Sequence, residues 1–202
     1  YLVYSEYVAM RLAQTLHIPV ADGVLTSYAD KTAYGSLWID AAGLMPVMHH
    51  SQKGRIGERY PNEVAALTVF DVLIGNWDRQ EDVRASVALE SPKFFRAFDH
   101  SHGLFGIEAK PGHCLCRLHD HNDLVVSDHI FYSVVRDTHL SSWAERIAAV
   151  PDHYITECCL LESVDAGVSK NLQKRLALAL ISRKNNLPAL ITAHKATIRP
   201  VT

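Results

Sequence analysis

Apolar residues recur at near-helical spacing at the start of the chain. Leu2, Val8, Leu12 and Leu16 share one face, with Glu6 and Arg11 between them, which predicts a helix over 2–16. Pro19 ends that pattern. The stretches Val20 to Tyr28 and Ala33 to Ile39 then read as two strands of a hairpin, turning at Asp30 and Lys31. Residues 41–60 are rich in Gly, Pro, His and charge, and read as a loop. Pro61, Asn62 and Glu63 have the chemistry of a helix start. Val64, Leu67, Phe70, Leu73 and Ile74 give that helix a buried stripe, and Gly75-Asn76 stops it.

Two short strands follow, Val83 to Leu89 and Phe94 to Phe98, joined at Ser91-Pro92. Residues 103–122, dense in His and Cys, read as loop. Helices are predicted at roughly 123–136, 141–149, 152–162 and 169–194, with start signals at Ser141 and Ser169 and a break or kink at Pro188. Strands come early and helices late, which is an α+β pattern with a mainly helical second half. There is no βαβαβ alternation, no GxGxxG and no GxxxxGK[ST] motif, which argues against a Rossmann sheet or a P-loop. No repeat of solenoid period is present.

Composition adds bounds. The 202 residues are 48% apolar and 21% charged, an ordinary globular balance. No apolar run reaches the ~18 residues of a membrane span, so no membrane partner is expected. The net charge of −2 hides an asymmetry. Residues 166–202 hold seven basic residues and no acid, whereas the rest holds 13 basic and 22 acidic residues. Such a basic segment presents a solvated helix face, docks on its own acidic body, or meets an acidic partner. It lacks interleaved aromatics, so a single-stranded nucleic acid is not the expected partner. Cys114, Cys116, Cys158 and Cys159 are spaced unlike a secreted disulfide framework, and a reducing cytoplasm is the expected location. The chain opens on Tyr1 rather than Met, and a preceding segment is expected.

The most informative stretch runs from Phe70 to Arg79, where a buried helix ends and polar residues emerge at once: Gly75-Asn76-Trp77-Asp78-Arg79. Twenty-one residues after Asp78 comes Phe98-Asp99-His100-Ser101, at the end of an apolar strand. Two acids separated by one hairpin can converge, as magnesium-dependent phosphoryl transfer requires. One then orients the attacking hydroxyl and the other holds the metal, for which carboxylate oxygens are suitable ligands.

Leu73-Ile74-Gly75-Asn76-Trp77-Asp78-Arg79 resembles the catalytic loop of HipA-like kinases, a branch of the superfamily that also holds protein kinases and phosphoinositide kinases. Phe98-Asp99-His100-Ser101 resembles the metal-binding Asp segment of that family. Tyr4-Ser5-Glu6-Tyr7, Leu12-Ala13 and Leu16-His17-Ile18-Pro19-Val20 are similar to its opening helix and strand. The resemblance implies a protein-kinase-like fold, with a partial N-lobe over 1–40 and a C-lobe over 41–202. It implies ATP and Mg²⁺ as cofactors and a protein Ser or Thr as acceptor. Asp78 would position the acceptor hydroxyl and Arg79 would brace the loop. Asp99 would bind Mg²⁺. Glu6 would face the nucleotide and pair with a phosphate-binding Lys. Ser36 to Ala41, including Trp38 and Ile39, would be the hinge around the adenine.

Two departures from the family pattern stand out. The second metal ligand, an Asn about five residues beyond the catalytic Asp, is replaced by Val83; Asp82 is the neighbouring stand-in. The only lysines before Asp78 are Lys31 and Lys53, and no Gly-rich loop or Lys precedes Glu6. A pseudokinase, binding nucleotide or protein without catalysis, is therefore the alternative. A rival of another class is zinc binding by His113, Cys114, Cys116, His119 and His121, with His100 and His102 nearby. Their spacing is a poor match to zinc fingers, with no CxxC pair, and the kinase reading makes this region the segment that follows the metal-binding Asp. A Cys-His-Asp nucleophile is a third, weaker option, and the absence of GxSxG argues against an α/β-hydrolase.

Overall fold

The computed structural model describes residues 1–37, 50–80, 82–88, 90, 92–107, 110–162 and 166–199. The expected hinge residues Trp38 and Ile39 lie outside that set. Helix α1 (Leu2–Thr15) is followed by a hairpin of β1 (Gly23–Tyr28) and β2 (Lys31–Ser36). Ala29 and Asp30 both take positive φ, 48° and 58°, as a two-residue turn of right-handed twist requires. Helices α2 (Lys53–Arg59) and α3 (Pro61–Ile74) come next, then strands β3 (Val83–Ala85) and β4 (Phe95–Ala97). The chain finishes with α4 (Pro111–His119), α5 (Asp137–Ala148), α6 (Asp152–Cys159), α7 (Lys170–Ala193) and α8 (Lys195–Ile198). Each sheet has two antiparallel strands, and a parallel bridge from Val20 to Ala97 ties the chain after α1 to β4. The architecture is the mixed, mainly helical α+β expected.

Helix α3 is the centre of the core. Every residue from Val64 to Ile74 is buried, so the expected stripe is a helix buried all round. It packs on α2, α5 and α7, and α1 packs on α6. The Tyr4 hydroxyl donates to the Cys159 carbonyl at 2.7 Å, and Arg11 to that of Cys158 at 3.2 Å, which fixes α1 on the helical half.

Five expectations need correction. Residues 53–59, read as loop, form α2. Residues 111–119, also read as loop, form α4, because Pro111 opens the helix and Leu115 and Leu118 turn inward to the core. Residues 123–136, read as a helix, are turns. Arg183 of α7 supplies the donors that a helix would have supplied, bonding the carbonyls of Asp123 and Leu124 at 3.0 and 2.9 Å. The following helix starts at Asp137, not Ser141. Finally, α7 runs unbroken through Pro188, with Leu187, Leu190 and Ile191 buried on both sides of the proline.

The basic segment is not a uniform solvated face. Arg183 and Lys184 are buried, and burial pulls the Arg183 pKa down to about 10. Lys184 meets Asp152 at 2.8 Å, and Lys195 and Arg199 both meet Asp137. Much of this positive charge is thus turned onto the chain's own body. Among the described residues no helix is long and apolar enough to cross a membrane.

Candidate active site

The site begins where α3 ends. Gly75 takes φ 68°, the left-handed conformation that stops a helix without a Cβ clash. The backbone then doubles back, and the Asn76 N–H donates to the Asp71 carbonyl at 2.9 Å. Trp77 and Asp78 emerge part-exposed, while Arg79 turns inward and is fully buried.

Arg79 finds a carboxylate at the floor of the site. Its Nε donates to Asp71 Oδ2 at 2.9 Å and its Nη2 to Oδ1 at 3.1 Å, a bidentate pair. Asn76 Nδ2 adds a bond to Oδ1 at 3.1 Å. His129 Nδ1 accepts from the Phe131 N–H, so the ring proton sits on Nε2 and donates to Asp71 Oδ2 at 3.0 Å. Burial opposes ionisation of Asp71, but Arg79 and His129 outweigh it and hold its carboxyl well below the usual range.

The remaining guanidinium nitrogen, Nη1, reaches three main-chain carbonyls: Asp82 at 3.2 Å, Asp99 at 3.0 Å, and Phe98. One buried cation therefore joins the loop after α3 to the segment leaving β4. Backbone pairing reinforces the joint, because the Phe98 N–H donates to the Asp82 carbonyl at 2.9 Å. The Ala97 N–H donates to Pro19, and the Ala97 carbonyl accepts from Ala21.

Asp99 follows at φ 51°, a left-handed conformation that Asp tolerates better than most residues. Its carboxylate accepts from the Ser101 N–H at 3.1 Å. Burial raises its pKa, but the bonds from Ser101, a shared contact with Glu6 and the charge of Arg79 bring it below the usual value. Glu6 projects from α1 and accepts the His100 N–H on both oxygens at 3.0 Å. The structure thus places Glu6 at the segment of Asp99, where it holds the backbone.

Asp82 is half-buried and feels the charges of Asp99, Asp78 and Asp71. Desolvation, with those acids behind it and Arg79 opposing, pushes its pKa up to about 6. The expected acids are therefore electrostatic neighbours. Among the described residues no three His, Cys, Asp or Glu side chains converge to hold a metal. The zinc candidates His113, Cys114, Cys116 and His119 lie on α4 and His121 just beyond it, and they form no such group. Cys114 donates to the Phe105 carbonyl at 3.2 Å, and His121 bonds Ser182 at 2.9 Å. Magnesium makes a smaller demand: one or two carboxylates, with water and phosphate oxygens completing the shell. A half-buried acid with other acids nearby fits such an ion, since a cation offsets both the burial and the like charges that raise its pKa.

Val83 is fully buried in β3 opposite Ala97 and is no ligand. Sequence reasoning passed over Asp71 and His129. An acid inside the apolar run Val64 to Ile74 was a readable signal for Asp71; His129 carried none.

An α+β chain of this shape, with a short hairpin, a strand pair flanking the acids and a helical second half, has a kinase-like fold. Among solved structures it is similar to a Helicobacter pylori proinflammatory kinase, CtkA, with a TM-score of 0.66 over 97% of this chain and 86% of that one, at 16% identity. No family model and no curated protein matches the chain.

Proposed function

We propose that this chain is a HipA-like phosphotransferase that moves the γ-phosphoryl of ATP to a protein Ser or Thr hydroxyl. The observation that supports the reading is the Arg79 clamp, which ties the backbone of Asp82 to that of Asp99 across two separate segments, with Asp82 feeling the charges of Asp99 and Asp78. The solved kinase neighbour supports the same reading through its fold.

Asp78 orients the acceptor hydroxyl and takes up its proton as the phosphoryl bond forms. Asp99 is the first carboxylate for Mg²⁺, and Asp82 the second. The ion, when bound, neutralises charge on the transferring phosphoryl group. Glu6 keeps the Asp99 segment in place through the His100 N–H. Arg79 and Asp71 touch no reacting atom; they hold the backbone that presents the acids.

A second reading, a pseudokinase that binds without transfer, is favoured by one observation: buried Val83 stands where the family carries its second metal-ligand Asn. Transfer of labelled phosphate from ATP to a general protein acceptor such as casein separates the two. The kinase reading expects Mg²⁺-dependent incorporation that falls at least about 100-fold in Asp78→Ala. Incorporation indifferent to that substitution, or absent from the wild type, leaves the binding module.

A further inference from the structure

His102 does nothing in the scheme so far, yet it lies against the residue on which that scheme depends. Its Nε2 is 3.3 Å from Asp78 Oδ2. Its ring meets the Trp77 indole edge-on, with centroids 4.5 Å apart and planes at 82°. Its other nitrogen, Nδ1, is buried with no hydrogen-bond partner. The imidazole is thus held between an aromatic wall and a single polar contact, the Asp78 carboxylate.

The backbone under it is fixed to the same helix end. The Leu104 N–H donates to the Ile74 carbonyl at 2.7 Å, two residues before Asn76. The Gly103 N–H donates to His100 at 2.9 Å and the Gly106 N–H to Gly103 at 2.8 Å, closing consecutive turns around His102. His102 and Asp78 therefore sit on two segments bolted to one point, so their separation is a property of the fold.

We infer that His102 is a positioning residue for Asp78: its Nε2 edge, against Oδ2, fixes the carboxylate rotamer and leaves Oδ1 for the acceptor hydroxyl. This rests on the phosphotransfer reading above. An exposed Asp side chain samples several rotamers in water, and only some present an oxygen to an incoming hydroxyl. Proton acceptance by Asp78 stays on Oδ1, so His102 gains and loses no proton in the reaction.

The test is steady-state MgATP turnover with water as acceptor, which needs no knowledge of the protein substrate. It compares wild type, Asp78→Ala, His102→Leu and His102→Gln, with melting temperatures recorded alongside. Leu fills the space of the ring without a donor. The Gln amide places a donor where Nε2 sits. The expected result is a kcat reduced about 10- to 100-fold in H102L with KM for MgATP unchanged, and most of it restored in H102Q. A merely structural role would lower the melting temperature and would not distinguish Leu from Gln. Wild-type kcat in H102L, or equal loss in both variants, overturns the inference while leaving Asp78 in place. Wild-type turnover no greater than that of Asp78→Ala overturns the phosphotransfer reading, and this inference with it.

Discussion

Arg79 and Asp99 are joined through the main chain: the guanidinium Nη1 donates to the Asp99 carbonyl at 3.0 Å while the rest of the group grips Asp71. The acid expected to hold the metal is therefore positioned by a residue next to the acid expected to hold the hydroxyl. Removing that link has a calculable effect. Arg79→Leu leaves Asp71 ionised and buried with only neutral partners, which costs about 3–5 kcal/mol. Arg79→Lys keeps the charge but has no planar fork to span a carboxylate and three carbonyls, so its loss falls between Leu and wild type. The double variant Arg79→Leu/Asp71→Leu recovers part of the single-variant loss, because no uncompensated charge remains. Urea unfolding measures all three; an Arg79→Leu loss under about 1 kcal/mol would show that the clamp holds nothing.

Asp71 also sets an acid limit on stability. Its folded pKa lies below the ordinary carboxylate value of about 3.9, so its ionised form stabilises the fold at pH above that value. The contribution is lost as pH falls through the folded value. Asp71→Asn is expected to be less stable at neutral pH and to show a flatter decline below about pH 4. Unfolding midpoints across the acid range test this, and parallel curves for the two proteins would refute it.

Asp82 behaves in the opposite sense. Its folded pKa of about 6 lies above the unfolded value, so the folded state binds the extra proton between roughly pH 4 and 6. Stability from this group rises as pH falls through that window, and its ionised form is a cost at neutral pH. Asp82→Asn is expected to be more stable at pH 7–8, by about 1 kcal/mol once solvent screening of a half-exposed group is allowed for. Added Mg²⁺ should raise the wild-type melting temperature more than that of Asp82→Asn. Equal shifts would remove Asp82 from the metal site.

Gly75 carries a further prediction. At φ 68° an added Cβ lies 3.1 Å from Leu118 Cδ2 and from Val125 Cγ1. Gly75→Ala is therefore strained in backbone and crowded in side chain, and should cost about 1–2 kcal/mol by thermal unfolding. A neutral result would mean that the helix end relaxes freely, and with it the placement of Asp78.

The parts legible in the sequence were those set by neighbours along the chain. The α1 and α3 periodicities, the Ala29-Asp30 turn and the stop at Gly75 are local, and all occur close to where they were expected. Residues Leu124 to Val135 are apolar enough to read as a helix, but their conformation is decided by Arg183, some sixty residues on. The reverse happened at 111–119, where His and Cys density hid the inward pair Leu115 and Leu118. At the site, Asp78 and Asp99 were visible as polar breaks after apolar elements. Asp71 was passed over, since its partner Arg79 meets it only after the chain reverses at Gly75. Arg183 and Lys184 looked like surface charge because their acceptors, carbonyls of distant turns, leave no mark in the sequence.

The account stands on Asp78 and Asp99 serving one magnesium–nucleotide site. Calorimetric titration of ATP into the wild type and Asp99→Asn, with and without Mg²⁺, tests this most directly. The prediction is binding that strengthens with Mg²⁺ in the wild type and loses at least about tenfold of that gain, some 1.4 kcal/mol, in Asp99→Asn. Equal Mg²⁺-dependent affinity in the two proteins, or no ATP binding by the wild type, would contradict it.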